Sequence, residues 1–181
     1  MMNPLKESSL TPEQVLMMIP RTLIVGYGNP DREDDGVAWH ILRDVSKIFD
    51  MPTPTEINEG LFPEGRSLDF YLNLQLTPEM AEEMISYQRV CFVDAHTGIV
   101  PENINWQSIE SRFQNSPLTH HLTSESLVSL LEHAYHHTPE CVLFSVRGFQ
   151  FRFKQQLSTE TEKLANQAVK KIVEWIIGPI I

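Results

Sequence analysis

Short apolar runs rich in β-branched residues alternate, along this chain of 181 residues, with stretches whose apolar side chains recur at helical spacing. The first run, 22–25, leads through a loop into residues 36–49, where an apolar side chain recurs every three or four positions. Further strands are predicted at 68–72, 89–93, 104–109 and 141–146. Strands that alternate with helices pair in parallel, and the helices cover both faces of the sheet. The pattern predicts an α/β three-layer sandwich with a mostly parallel twisted sheet.

The helix starts follow from capping chemistry. Thr11 begins the sequence TPEQ, which has a proline at the first helical position and a capping-box glutamine, and predicts a short helix to Met18. Similar chemistry at 77–79 predicts a helix to about residue 87, and Thr159 with Glu162 predicts a capping box for the last helix. Another helix is predicted to follow Thr123. Length favours one domain over 1–181, with 1–20 as a helical extension.

Composition excludes several classes of function. The formal net charge of −10 disfavours a nucleic-acid partner, because phosphate binding requires clustered Lys and Arg. No apolar run approaches the roughly 20 residues that span a bilayer, and no leader-like segment opens the chain, so a cytoplasmic protein without a membrane partner is expected. The two cysteines, Cys91 and Cys141, lie in strand-like apolar runs and are expected to be buried thiols.

The segment GYGNPDREDDG, 26–36, carries the strongest chemical signal. Its glycines resemble part of a dinucleotide fingerprint, but four carboxylates stand where a pyrophosphate would bind, so the segment favours a cation over a nucleotide. Carboxylates in a first helical turn also stabilise the helix dipole without any further role. Functional groups of parallel sheets gather at the carboxyl ends of strands, where Asp35 and Asp94 are predicted to lie.

Several motifs resemble, in the right order, those of the nickel-iron hydrogenase maturation endopeptidases. They are GYGNPDREDDG at 26–36, QLTPEMAEEM at 75–84, FVDAHTG at 92–98, THHLTSESLVSLL at 119–131, SVRG at 145–148 and QLS at 156–158. The resemblance extends from about residue 21 to residue 176. It implies a peptidase that removes the C-terminal extension of a hydrogenase large-subunit precursor after nickel insertion.

The resemblance also implies roles for individual residues. Asp35 and His120 match the family's acidic and histidine metal contacts, and Asn29 matches a residue that binds the substrate backbone. The second metal contact is ordinarily an aspartate, and its nearest equivalent here is Gln75. Asp35, Asp94 and His120 are the expected catalytic residues, with either acid, or a nickel-bound water, as the activating group.

Nickel is expected to arrive with the precursor, so no permanent cofactor is predicted; imidazole and carboxylate suit this metal. Because Gln75 replaces a carboxylate, a non-catalytic nickel-recognition or chaperone module for hydrogenase assembly is the alternative. The expected partner is the large-subunit precursor in both cases.

Three other features have weaker signals. His133 and His137 share a predicted helix with His136 but lack the glutamate of a zinc-protease motif, which favours a solvated helix face. Ser145 lacks the glycines of a nucleophile turn. Arg147 is predicted either to bind a substrate carboxylate or to pair with a neighbouring acid.

Overall fold

Five strands form one sheet in the order β2-β1-β3-β5-β4 in the computed structural model, which describes residues 10–52, 67–111 and 122–178. The strands are β1 (Thr22–Tyr27), β2 (Leu68–Asn73), β3 (Arg89–His96), β4 (Ile104–Ser108) and β5 (Glu140–Arg147). All neighbouring pairs are parallel except β4 with β5, which is antiparallel at the edge. The predicted mostly parallel sheet is confirmed.

Helices lie on both faces of this sheet. They are α1 (Pro12–Met18), α2 (Val37–Ile48), α3 (Met80–Met84), α4 (Ser124–Tyr135) and α5 (Thr159–Ile177). One apolar cluster contains α1, α2 and α5 side chains, and a second contains those of α3 and α4. Alternate residues of β1 enter the two clusters, Ile24 the first and Val25 the second, as expected for a strand with both faces buried. The three-layer α/β sandwich is therefore confirmed.

Local predictions are confirmed or corrected as follows. Thr11 caps α1 with the predicted capping box, and α1 ends at Met18. The helix predicted from the proline at 78 is wrong in length, because α3 spans only Met80–Met84. The cap of α5 is Ser158, whose side chain accepts from the Thr161 N–H, and not Thr159. Both cysteines are buried as free thiols, as predicted. No helix in the described part of the chain is long and apolar enough to cross a bilayer.

The histidine group does not form the predicted shared helix face. Helix α4 ends at Tyr135, and His136 adopts a left-handed conformation that turns the chain away. His133 Nδ1 lies 2.8 Å from the Ser129 carbonyl, while His137 Nε2 lies 2.6 Å from the Tyr87 carbonyl. His133 and His137 are therefore held by different backbone groups.

Candidate active site

A row of five polar residues crosses the whole sheet near the carboxyl end of the parallel strands. Tyr27 is in register with Asn73 on one side, and the next step after the pair of Gly26 with Val93 puts Asp94 on the other. Asp94 is in register with Ser145, which faces Asn105 of β4. We call Asn73, Tyr27, Asp94, Ser145 and Asn105 the polar row. It lies on the α3/α4 face, because Tyr27 packs against that apolar cluster.

Asp94 was predicted to lie at the tip of its strand. It lies inside the strand instead, because β3 continues to His96. Its Oδ1 accepts the Ala95 N–H at 2.7 Å, and its carboxylate accepts the Tyr27 hydroxyl. Burial raises the pKa of Asp94 to about 7, and the neighbouring charge of Asp35 adds to this effect, against the lowering influence of the two hydrogen bonds. A carboxyl group with this pKa can both give and take a proton near neutral pH.

Tyr27 joins Asp94 to the start of α4. The Ser124 hydroxyl lies within hydrogen-bond reach of the Tyr27 phenol and also donates to Glu125 at 3.3 Å. Burial, and then the charge and hydrogen bond of Asp94, raise the pKa of Tyr27 well above its usual value, so the phenol stays protonated. It therefore acts as a fixed hydrogen-bond donor. Tyr27 lies within the motif 26–36, but no role was predicted for it, although its alternation with Leu23 and Val25 places it on the same face.

The acidic loop 31–35 divides its carboxylates between two tasks, and three of the four bind the β5–α5 loop. Asp34 is fully buried and accepts the Phe149 and Gln150 N–H groups, together with the N–H and hydroxyl of Ser158. Glu33 accepts the backbone N–H and the guanidinium of Arg152. Asp31 accepts the Gln155 side-chain amide at 2.8 Å. These three acids are structural.

The fourth acid, Asp35, makes its described side-chain hydrogen bond within its own loop. It is partly exposed, and its Oδ2 accepts the Asn29 N–H at 3.0 Å, which fixes the carboxylate against the loop. Its charge contributes to the raised pKa of Asp94, so the two acids lie near enough to influence each other electrostatically. Gly28 makes this fold of the loop feasible: its φ is +129°, and a Cβ there would lie 2.1 Å from the Asp35 carbonyl oxygen.

The other predicted site residues differ in what the structure describes. Asn29 uses its Oδ1 to accept the Asp31 N–H at 2.9 Å, so it shapes the loop, and its substrate-binding role stays a prediction. Gln75 is exposed just beyond the end of β2, with no recorded bond to Asp35 or Asp94. His120 lies outside the described residues, four positions before the first residue of α4. Its predicted meeting with Asp35 is therefore untested.

The described residues do not contain a compact group of metal ligands. Within residues 10–52, 67–111 and 122–178, no three His, Cys, Asp or Glu side chains group closely enough to hold a metal ion. Ser145 is buried on β5 within the polar row, and the expectation that it is not a nucleophile stays a prediction. The chemistry that the described site offers is thus carboxylate acid–base chemistry with a tyrosine donor.

Comparison with solved structures finds several hydrogenase maturation proteases among the proteins similar to this chain. The maturating endopeptidase HybD of Escherichia coli superposes with a TM-score of 0.62 at 16% identity, over 84% of this chain and 89% of that chain. The nickel-iron hydrogenase maturation protease HycI of Thermococcus kodakarensis gives 0.59 at 18% identity, over 90% and 96%. A hydrogenase 2 maturation peptidase from a Thaumarchaeota archaeon gives 0.54 at 19% identity, over 85% and 96%.

Sequence comparison adds no further relatives, since no family model and no curated protein matches the chain. The similarity is therefore one of structure at low identity, and it covers nearly the full length of each solved relative. The family resemblance predicted from the motifs is confirmed at the level of architecture: this chain shares the fold of the hydrogenase maturation endopeptidases.

Proposed function

We propose that this chain is a cytoplasmic endopeptidase that removes the C-terminal extension of a nickel-iron hydrogenase large-subunit precursor. The observation that carries the proposal is Asp94, an acid with a raised pKa near the carboxyl end of a sheet with this fold, close enough to Asp35 for the Asp35 charge to act on it. Ligand and catalytic groups of open α/β sheets gather at that edge. The solved proteins with the same fold are named as maturation endopeptidases and proteases of hydrogenases.

Asp94 is the acid–base group in this proposal. With a pKa of about 7, a large fraction of the carboxyl group is ionised at neutral pH and can accept a proton from the attacking water. The water oxygen bonds to the scissile carbonyl carbon, the carbon–nitrogen bond breaks, and the proton passes to the departing amine. Tyr27 holds the carboxylate through a hydrogen bond from its hydroxyl.

Asp35 is the contact to the nickel that the precursor carries. Its Oδ2 is held by the Asn29 N–H, and its partial exposure leaves the carboxylate open to a bound partner. The described residues hold no group of three His, Cys, Asp or Glu ligands, and Gln75, His120 and the precursor itself are the further donors in this proposal. Carboxylate, amide and imidazole are ligand types that a divalent transition metal accepts. A metal at the scissile bond would polarise the carbonyl.

The test is the mass of the large subunit after incubation with the purified protein. We expect nickel-loaded precursor to lose its C-terminal extension, while nickel-free precursor stays intact. Asp35→Asn should fail to cleave, whereas Glu174→Gln, an exposed change on α5, should cleave normally. An unchanged mass with nickel-loaded precursor, under conditions in which a related protease is active, would refute the proposal.

A second candidate is a non-catalytic module that recognises nickel in the precursor without cutting it. The exposed amide of Gln75 favours this reading, since a neutral oxygen binds a divalent cation more weakly than a carboxylate does. Stable binding of nickel-loaded precursor without cleavage, followed by cleavage with Gln75→Asp, would support the module. Cleavage by the wild-type chain would exclude it.

A further inference from the structure

Arg147 ends β5 beside the candidate active site. It is in register with His96, two residues after the pair of Asp94 with Ser145, so it follows the polar row on the same face. Two residues of strand correspond to about 7 Å. The cation thus lies on the α3/α4 face at the same edge as Asp94.

The backbone around Arg147 is fixed by pairing with the β3–β4 connection. Arg147 N donates to the Asn103 carbonyl at 2.9 Å, and Gly148 N donates to the His96 carbonyl at 2.9 Å. The guanidinium lies 5.1 Å from the centre of the Phe149 ring. It also packs closely on Gly98, where a Cβ would stand 3.2 Å from two guanidinium nitrogens. These contacts order the planar group without using a carboxylate.

Within the described part of the chain, Arg147 forms no ion pair, although the charge of Glu102 acts on the same neighbouring residue, His96. Arg21, Arg89 and Arg152 each have a carboxylate partner, but no described ion pair includes Arg147. Its neighbour His96 is buried, and burial, with the charge of Arg147 adding to it, lowers the pKa of His96, so the imidazole is neutral. A partly buried cation without a described ion pair stands out in a chain with a formal net charge of −10.

Exposed apolar side chains occur in the two loops whose residues Gly98 and Phe149 contact Arg147. Ile99, which follows Gly98, is 86% exposed, and Phe149 and Phe153 of the β5–α5 loop are 43% and 88% exposed. The segment 147–154, RGFQFRFK, carries three basic residues and no acid of its own, although one of the three, Arg152, is paired with Glu33. A peptide that combines a carboxylate with apolar side chains complements such a surface. Arg binds carboxylates through two parallel hydrogen bonds, and aromatic packing orders the guanidinium for this purpose.

We propose that Arg147 binds a carboxylate of the substrate's C-terminal extension and so fixes that segment against the sheet edge beside Asp94. The proposal rests on the proposed peptidase function, because it takes the extension as the occupant. The carboxylate belongs either to the chain terminus of the extension or to an Asp or Glu side chain within it. Arg147 is then a specificity-determining residue and does not take part in the bond-breaking step.

Kinetics on nickel-loaded precursor test the role of Arg147 in the enzyme. We expect Arg147→Gln to raise KM about tenfold or more, the range for a lost charge-assisted hydrogen bond, with kcat within about twofold of wild type. Arg147→Lys keeps the positive charge but loses the two parallel N–H donors of the guanidinium. Its KM should therefore lie between those of wild type and Arg147→Gln. Arg43→Gln, which removes an exposed positive charge on α2, is the matched control and should leave KM unchanged.

Peptide binding tests the same contact without cleavage. A fluorescein-labelled synthetic extension is titrated in three forms, by anisotropy: natural, C-terminally amidated, and with its Asp and Glu replaced by Asn and Gln. One neutralised form should bind wild type about tenfold more weakly, and Arg147→Gln should bind that form and the natural peptide equally. The form that responds identifies the carboxylate. If Arg147→Gln does not fold, Arg147→Lys takes its place, with a smaller expected difference.

The outcomes separate this proposal from the proposed function. An uncleaved precursor together with Arg147-dependent peptide binding would refute the peptidase and retain the carboxylate site. Normal cleavage, with KM and peptide affinities unaffected by Arg147→Gln, would overturn the carboxylate site alone. Failure of the wild-type chain to bind any form of the peptide would also overturn it.

Discussion

Two adjacent aspartates, Asp34 and Asp35, are predicted to have opposite roles. Asp34 is fully buried and accepts four hydrogen bonds, three from backbone N–H groups and one from the Ser158 hydroxyl. Asp34→Ala would leave these donors unpaired. Each bond to a charged group contributes about 1.5–3 kcal/mol, but the four share one carboxylate and do not add fully. We therefore expect a loss of about 3–5 kcal/mol in the free energy of unfolding.

The assay is thermal or urea unfolding followed by circular dichroism. For a chain of this length a loss of that size lowers the unfolding midpoint by on the order of 10 °C. Burial raises the pKa of Asp34, but the backbone N–H groups of Phe149, Ser158 and Gln150 outweigh it and hold the pKa below its usual value. The stabilisation is then present above about pH 4 and is lost as the pH falls through the lowered pKa. The difference in the free energy of unfolding between wild type and Asp34→Ala should therefore become smaller at acidic pH.

The matched variant is Asp35→Asn, an isosteric change one residue away. It should alter stability by less than about 1 kcal/mol, because Asp35 is partly exposed and accepts a single described hydrogen bond, from the Asn29 N–H. The rate of precursor cleavage should fall by at least about 10- to 100-fold. Losses of this size follow even when only the hydrogen-bond partner of a metal ligand is removed. Equal destabilisation by the two variants, or a loss below about 1 kcal/mol for Asp34→Ala, would refute the division of roles.

Four further changes test the site. Asp94→Asn should slow cleavage about 100-fold or more. Because the raised pKa of Asp94 makes the wild-type protein less stable as the pH rises towards 7, the variant should have a higher melting temperature than wild type at pH 8. The difference in melting temperature should be smaller at pH 5. Tyr27→Phe removes a donor to the carboxylate, so the acid limb of the rate–pH profile should move to higher pH. Gln75→Asp should lower the KM for nickel-loaded precursor in the cleavage assay. Its affinity for nickel-free precursor, measured by calorimetry, should stay unchanged. Gly28→Ala, whose Cβ would lie 2.1 Å from the Asp35 carbonyl oxygen, should lower both the melting temperature and the cleavage rate.

The sequence was sufficient for the architecture because its signals are local. Alternation of β-branched runs with helical periodicity predicted the order of elements, and the chemistry of Thr11 predicted the start of α1. The edge position of Asp35 followed from the same reasoning. The predicted strand boundaries were less accurate. β3 continues three residues beyond Val93, and this places Asp94 inside the strand. Strand ends depend on pairing with β5, which local sequence does not encode.

The roles of the acidic loop could not be predicted from the sequence. Asp34 binds residues more than 110 positions later, so nothing near it indicates that it is structural while Asp35 serves the site. Tyr27 was missed for a related reason, since its contact with Asp94 depends on the register of β1 against β3. Arg147 was assigned either to a substrate or to a neighbouring acid. No ion pair of the described residues includes Arg147, and its binding to a substrate carboxylate stays a proposal.

Intact-mass spectrometry of a single-turnover reaction tests the central claim most directly. Nickel-loaded large-subunit precursor is mixed with excess wild-type chain or with Asp35→Asn at pH 7, after both proteins are shown to unfold at the same temperature. We predict that wild type converts the precursor to the shortened subunit and releases the extension, and that the variant leaves it whole. Equal cleavage by the two proteins, or no cleavage by either, would contradict the account.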